Sequence, residues 1–466
     1  MKPSDFKTHV IQAVDSLLRL NEDDLPVLKS NDPRQVKQTI TEALPIHSLS
    51  FDTLMDDFEQ KIAPYLNHNK SPNYAAYITG SGNPVGAIAE LIKGYLNQNG
   101  LKWNNSPIAA ELEQLVVKWV SDFCLLANHK KGVLTSGGSM SNLMALHFAM
   151  ASKFPEREHH GLYGQKPFTV YCSEETHSSI ERAMVFLGLG RSYLRKIPVN
   201  EQFQIRVDLL EQAVKEDIRS GLQPLAIVGN AGTTNTGSID DLAALGLLAK
   251  KYKVWYHVDG AYGLPAIRIS ELKEKFNGVE LADSIIVNPH KWMYVPFEAS
   301  CVLVREIPKA IHFAPNYLMT ENAEARWESS EHTIELSKEF RALKVWFTLK
   351  YYGAKKLTEL IQQDIHHTAL FAKALTEKGF EVVPFHDLSI LCFRAKGDDE
   401  SIAEKLNVEL LSKVEKDGSI FLTGTKLYGK TYLRTYFGNP ERTAADVEYM
   451  VDQLIKLLHS VTTNER

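Results

Sequence analysis

The chain of 466 residues has few cysteines. Its four, Cys124, Cys172, Cys301 and Cys392, are scattered with no paired CxxC spacing. That argues against a disulfide framework or a cysteine-based metal site, and no metal is expected; reduced thiols in a cytoplasmic protein fit the pattern. Long apolar runs are also missing. No stretch approaches the ~18–20 uninterrupted apolar residues of a membrane span. The opening "MKPSDFKTHVIQAVDSLLRLNEDD" mixes charges into its apolar positions, where a signal peptide would build a continuous apolar core. Neither a membrane nor secretion is therefore expected. Positive charge is in short supply as well: 52 Lys and Arg against 57 Asp and Glu give a net charge of −5. With no long basic run, nucleic acid is not an expected partner. There is no repeat, low-complexity tract or lipidation signal.

What is present is an ordinary globular composition, 44% hydrophobic and 23% charged. The length suits two or three domains or lobes. Residues 1–83 read as a helical segment ending in a loop. "PRQVKQTITEAL" and "SFDTLMDDFEQKIAPYL" carry helical apolar spacing, and "NHNKSPNYAAYITGSGNP" is rich in turn residues. From 84 to 350, helices alternate with short apolar runs: "PFTVYC" (167–172), "PLAIVGN" (224–230), "VWYHV" (254–258), "SIIV" (284–287) and "SCVLV" (300–304). Continuous apolar strands alternating with helices predict an α/β domain with a mostly parallel sheet covered on both faces. Residues 351–466 read as a small α+β lobe. It has a helix, "GAKKLTELIQQDIHHTALFAKALTEKG", short strands at "FEVVP", "ILCFRA" and "TYLRTYF", and a last helix, "AADVEYMVDQLIKLLH".

In an open α/β sheet, ligands bind at the carboxyl ends of the strands. The residues that follow the predicted strands are therefore the candidates. His177 follows the first, Thr234 the second, Asp259 the third, and Asn288, His290 and Lys291 the fourth. Singly, each has a bland explanation: a satisfied histidine, a helix-capping aspartate, a solvated lysine. Four consecutive strand ends agreeing is harder to dismiss. "VLTSGGSMSNLMALHFAMASK" adds a Gly- and Ser-rich turn running into a helix. There backbone N–H groups and the helix dipole would cradle a phosphate, Gly137 and Gly138 would permit close approach, and Ser139 and Ser141 would donate. A plain N-cap explains that segment alone about as well. Together the parts suit pyridoxal 5′-phosphate. A lysine would link to the aldehyde, and an aspartate would keep the pyridine nitrogen protonated in a low-dielectric pocket. A desolvated lysine is also a better nucleophile.

"HVDGAYG" followed by "NPHKW", with "THSSIERA", "GTTNTGSID", "TSGGSMSN" and "SPIAAELE" in order, resembles the group II, fold-type-I pyridoxal-phosphate-dependent amino-acid decarboxylases, which include aromatic-amino-acid, glutamate and histidine decarboxylases. The resemblance implies decarboxylation of an L-amino acid to its amine. Lys291 would carry the cofactor, Asp259 would pair with its pyridine nitrogen, and His177 and Ala261 would flank its ring. Thr234 would lie near the ring hydroxyl, and Gly138, Ser139, Asn288 and His290 would hold the phosphate. Tyr77 and Thr79 match the family's substrate-pocket segment. Asn99 and Leu101 match residues given across a dimer interface, so a homodimer with shared active sites is implied. The polarity of Asn99 favours a polar or acidic substrate side chain, with aromatic amino acids left open. Arg434 in "YLRTYF" matches a C-terminal-lobe arginine, structural first and substrate-contacting second. One feature departs from the family. The loop "NAEARWESSEHTIELSKEFRALKVW" has no tyrosine where the family places one that assists protonation. The match puts His332 there, with Trp327 close by. Protonation would fall to His177 or water if the loop has merely drifted, or to His332 as the proton donor, or the outcome would change to oxidative aldehyde formation. Other pyridoxal-phosphate chemistry, such as aminotransfer or Cα–Cβ lysis, and a silent scaffold on the same fold are the remaining alternatives.

Overall fold

The computed structural model describes residues 2–22, 26–29, 31–308, 326–384 and 387–463. At its centre is a seven-stranded sheet: β1 (Lys131–Thr135), β2 (Phe168–Ser173), β3 (Leu194–Ile197), β4 (Gln223–Asn230), β5 (Trp255–Asp259), β6 (Ser284–Val287) and β7 (Ser300–Val304), in the order β1-β7-β6-β5-β4-β2-β3. Strands β3, β2, β4, β5 and β6 pair in parallel. β7 runs antiparallel to both β6 and β1, so β1 points the same way as the parallel set.

Alternate residues of each strand bury on opposite faces, which explains the unbroken apolar runs. Ile227, Val258, Ile285 and Val287 pack with helices Pro107–Phe123, Val207–Arg219 and Leu242–Tyr252 on one face. Ala226, Val228 and Ile286 meet helices Gly138–Lys153 and Ser179–Phe186 on the other. Caps set the helix ends. Asn83 accepts from the Gly86 N–H with Pro84 in the first turn, and Asp241 accepts from the Ala244 N–H, each a standard N-cap.

Two strands of this sheet, and β10 of the C-terminal lobe (Thr423–Leu427), escaped the sequence reading. β1 is the "KGVLT" that opens the Gly-rich turn, and β3, "LRKI", is a half-buried edge strand with no apolar run. The C-terminal lobe holds an antiparallel sheet of β8 (Glu381–Val382), β9 (Ile390–Arg394), β10 (Thr423–Leu427) and β11 (Lys430–Tyr436), in the order β10-β11-β9-β8. Helices Glu400–Asp417 and Ala444–Thr463 cover it, the former also unforeseen. The long helix Ala342–Glu377 links this lobe to the large domain and is interrupted at Gly353 (φ 69°, ψ 161°).

The N-terminal segment contains helices Pro3–Glu22, Pro33–Thr39 and Phe51–Asp57. The helix expected over 33–44 stops at Thr39. Leu44 and Ile46, which would have been buried on its continuation, are each 87% exposed, so no packing propagates it. No helix among the described residues is long and apolar enough to cross a membrane.

Candidate active site

Because β1 points with the parallel strands, the carboxyl ends of β1, β2, β4, β5 and β6 open on one edge of the sheet. The reversed β7 starts there, with Ser300 opposite Thr135. After β1 the chain turns at Ser136 and Gly137, whose φ of 149° favours glycine, and enters the Gly138–Lys153 helix. A Cβ on Gly138 would lie 2.8 Å from Asn288 Nδ2, so a glycine is needed for that contact. Behind the turn runs a hydroxyl chain: Thr135 to Ser141 at 2.7 Å, Ser141 to Ser300 at 2.7 Å, and Ser300 donating to Asn288 Oδ1 at 2.6 Å. Ser139 lines the cavity; Ser141 is buried in this chain of hydroxyls and does not.

The loop from Asn288 to Ala299 carries the lysine and is fixed on both sides. Before it, His290 Nδ1 accepts from the Ala299 N–H at 3.1 Å. Burial, aided by the Lys291 charge, pushes this imidazole down to about 3, so it is neutral with its proton on Nε2. After it, Trp292 Nε1–H and Tyr294 O–H donate to Asp364 Oδ2 at 2.9 and 2.6 Å. Burial raises that carboxyl to about 6. Lys291 lines the cavity, and burial lowers its amine while the Asp259 charge opposes the shift. From above, Gly80 packs on the carbonyls of His290 and Lys291 so closely that a Cβ would sit 2.7 and 2.4 Å from them.

Asp259 ends β5 beside Asn230 of β4. Its Oδ1 accepts from the Ala261 N–H at 3.1 Å and its Oδ2 from Asn142 Nδ2 at 2.9 Å. Asn142 also donates to Ser179 Oγ at 2.8 Å, and its Oδ1 meets His257 Nε2 at 2.8 Å. Ser179 reaches His177 Nδ1 through its hydroxyl at 2.8 Å and its backbone N–H at 3.2 Å. Burial drives His257 down to about 4. The cavity walls also lower His177, with Asp259 pulling it up and Lys291 and Arg182 down.

These groups surround a cavity of about 560 Å³, a size typical of small-molecule sites. Tyr77, Gly138, Ser139, His177, Thr234, Asp259, Ala261, Asn288, His290, Lys291 and Arg434 all line it. Arg434 Nη1 donates to the Thr234 carbonyl at 2.9 Å, tying β11 to the loop after β4. Four expected residues lie elsewhere. Thr79 bonds Tyr74. Asn99 Oδ1 accepts from the N–H groups of Leu101 and Lys338 at 3.1 and 3.0 Å, and the Leu101 carbonyl accepts from the Ser330 N–H. His332 is buried, with its ring stacked on Trp327 at 4.1 Å. Residues 99–105 and 326–339 thus form one paired surface, apart from the cavity of their own chain; residues 322–325 of that loop lie outside the described residues. Asn142, Ser179, Asn230, Phe297 and Glu298 also reach the cavity and were not foreseen. An Asn directly before the apolar run "LMALHFAM" and a second Ser in "THSS" are the signals that pointed to the first two.

A glycine-walled anion cradle, a desolvated lysine and a buried carboxylate fit a flat phosphorylated pyridine aldehyde, and the architecture is that of a fold-type-I pyridoxal-phosphate enzyme. Comparison narrows the class. Residues 33–396 match the family model described as the pyridoxal-dependent decarboxylase conserved domain, and the chain belongs to that family. Among its relatives, tryptophan decarboxylase 2 of Oryza sativa subsp. japonica is 31% identical over 454 residues, covering 94% of this chain and 90% of that one. Phenylacetaldehyde synthase of Arabidopsis thaliana is 30% identical over 434 residues, covering 90% and 88%. The solved structure of Oryza sativa TDC with pyridoxal phosphate and tryptamine superposes with a TM-score of 0.94 at 25% identity, over 99% of both chains. The chain is a pyridoxal-phosphate-dependent carboxy-lyase acting on an amino acid.

Proposed function

We propose that the enzyme decarboxylates an aromatic L-amino acid to its amine, with Lys291 as the cofactor-carrying lysine. The observation that carries this reading is the desolvated Lys291 amine in a cavity shared with the Asp259 carboxylate. Pyridoxal phosphate, when bound, supplies the electron sink for cleavage of the Cα–carboxylate bond. The protein supplies the rest. Gly138, Ser139, Asn288 and His290 would bind the phosphate, the His290 Nε2–H being a fixed donor. Asp259 would hold a proton on the pyridine nitrogen. His177 and Ala261 would flank the ring, and Thr234 would lie toward its hydroxyl. Tyr77, Ile78 and Phe297 form apolar wall for the side chain, and Arg434 brings the cavity a guanidinium for the substrate carboxylate.

Asn99 was the reason to favour a polar substrate. Its carbonyl oxygen is occupied by two backbone donors, so its polarity serves the turn. The relatives named for tryptophan and phenylacetaldehyde then favour an aromatic side chain.

The working unit in this reading is a cytoplasmic homodimer. Residues 1–83 provide the dimer contact, 84–350 the cofactor domain and 351–466 the lobe that closes the cavity. Exposed Ile11, Leu17, Leu18, Leu44, Ile46 and Leu49 support a covered N-terminal face. The Asn99–Leu101 and His332 surface would complete the partner's cavity together with Thr79 of the pocket segment, which is where His332 would act as proton donor. Four buried free cysteines suit a reducing compartment.

The absence of a tyrosine from the 322–346 loop supports a second outcome, oxidative formation of the aldehyde. A panel of amino acids with CO2, amine, aldehyde and hydrogen peroxide measured together separates the two. Borohydride reduction followed by peptide mapping should find the cofactor fixed on Lys291; a label on any other lysine refutes the assignment.

A further inference from the structure

We propose that Asn142 is a positioning residue: its amide, clamped between Asp259 and His257, passes one hydrogen-bond polarity through Ser179 and leaves His177 with its ring proton on Nε2, presented to the cavity as a donor. The polarity follows from acceptor-only chemistry at one point. A carboxylate cannot donate, so the Asn142 group facing Asp259 Oδ2 at 2.9 Å is the NH2. The amide oxygen is then turned to His257 Nε2 at 2.8 Å, which must carry its proton there. The other ring nitrogen of His257, which also lies 3.2 Å from the Ser284 carbonyl, takes the shorter contact, accepting from Ser284 Oγ at 2.9 Å, and Ser284 in turn takes the Trp255 Nε1–H at 2.8 Å. On the other side, the second Asn142 N–H donates to Ser179 Oγ at 2.8 Å, so the Ser179 hydroxyl proton is free for His177 Nδ1. The Ser179 backbone N–H, which can only donate, points at the same Nδ1 at 3.2 Å. Two independent donors thus make Nδ1 an acceptor. Nε2 is bonded by no group among the described residues and carries the proton.

The chain of donors runs one way, from the Trp255 indole to the His177 Nε2–H. Its consequence is a restriction. Over the cavity, His177 offers a donor to an acceptor atom of ligand or substrate and cannot accept a proton there. Neutral His177 is therefore a hydrogen-bond donor to the bound amino acid and not a proton acceptor. Burial favours the neutral state of both imidazoles. This role rests on the decarboxylase reading only for its kinetic effect.

The test is the 15N spectrum of histidine rings in the labelled holoenzyme, with His177 assigned through His177→Gln. Wild type should show His177 protonated at Nε2 through neutral pH. Asn142→Leu and Ser179→Ala should raise the Nδ1-protonated form about fivefold, the size of one lost hydrogen bond, and Ser179→Thr should restore it. Turnover in Asn142→Leu and Ser179→Ala should fall in kcat more than it rises in KM. A wild-type proton on Nδ1, or both variants within twofold of wild type, overturns the proposal. If Asn142→Leu fails to fold, Ser179→Ala decides alone. A panel that finds no amino-acid turnover removes the activity reading and leaves the spectrum standing.

Discussion

Gly80 is the least conspicuous residue in the site and the one whose substitution has the most definite outcome. It has no polar group and was not among the residues singled out from the sequence. Yet its Cα faces the lysine's own backbone: an added Cβ would lie 2.4 Å from the Lys291 carbonyl oxygen and 2.7 Å from that of His290. Ordinary contact begins at about 3.4 Å, so Gly80→Ala forces a backbone displacement of about 1 Å in the loop that carries the reacting amine. Neither side yields easily. Lys291 is followed by Trp292 and Tyr294, both bonded to Asp364, and preceded by His290, bonded to Ala299. Overpacking of this kind costs about 1–3 kcal/mol. At about 2.1 cal/mol/K of unfolding entropy per residue, that is about 1–3 °C in Tm for a chain of this size. Misplacement of a reacting group by about 1 Å costs about 100-fold in rate. The expected result is a folded variant with Tm within a few degrees of wild type, kcat/KM down about 100-fold, and a changed cofactor absorbance. Wild-type kcat/KM in Gly80→Ala would refute the reasoning.

Glu113→Gln should destabilise by about 3–5 kcal/mol. It breaks a buried pair with Lys338 at 2.6 Å and weakens the acceptor for the Leu134 N–H, and faster proteolysis within 326–339 should accompany the lowered Tm. Unchanged Tm and cleavage would count against it. Arg434→Gln keeps a donor for the Thr234 carbonyl but removes a buried cation that has no ion-pair partner among the described residues. KM for the amino acid should rise about tenfold, and an unchanged KM would leave Arg434 a purely structural role. Acid stability gives a third check. His290 and His257 have folded values depressed to about 3 and about 4, so between pH 5.5 and 4.5 the unfolded state binds their protons and the folded state does not. Stability is lost as pH falls through that window. Asp364, raised to about 6, works the opposite way, being protonated in the folded state and ionised in the unfolded. In urea unfolding across that window, His290→Asn should flatten the acid slope by about 1.4 kcal/mol per pH unit and Asp364→Asn should steepen it by the same amount. Slopes parallel to wild type would contradict both.

The cavity edge was readable from the sequence because it follows from strand position alone. Apolar runs at β2, β4, β5 and β6 locate the strands, and the residues after them must share an edge if the sheet is parallel. Thr234, Asp259, Asn288 and Lys291 need no knowledge of side-chain partners to be placed. β3 and β10 were not readable because edge strands alternate exposure and leave no apolar run. β1 was hidden because Lys131 and Gly132 open it and leave only Val133 and Leu134 as an apolar run. The Asn142 network was out of reach for another reason: its partners His257 and Asp259 are 115 and 117 residues away, and nothing local shows that an amide in an apolar helix will be clamped from both sides. Asn99 was unreadable in the same way, since residue type does not show that its amide oxygen accepts from the Leu101 and Lys338 N–H groups.

The reversed direction of β7 has a consequence for how such an enzyme can change over time. Since β6 ends and β7 begins at the same edge, the lysine hangs on a short span moored at both banks, and its position depends on the sheet's register and on Gly80, which packs against it. A change of register in the sheet would therefore carry both banks together, and drift in the loops above reaches the lysine through Gly80.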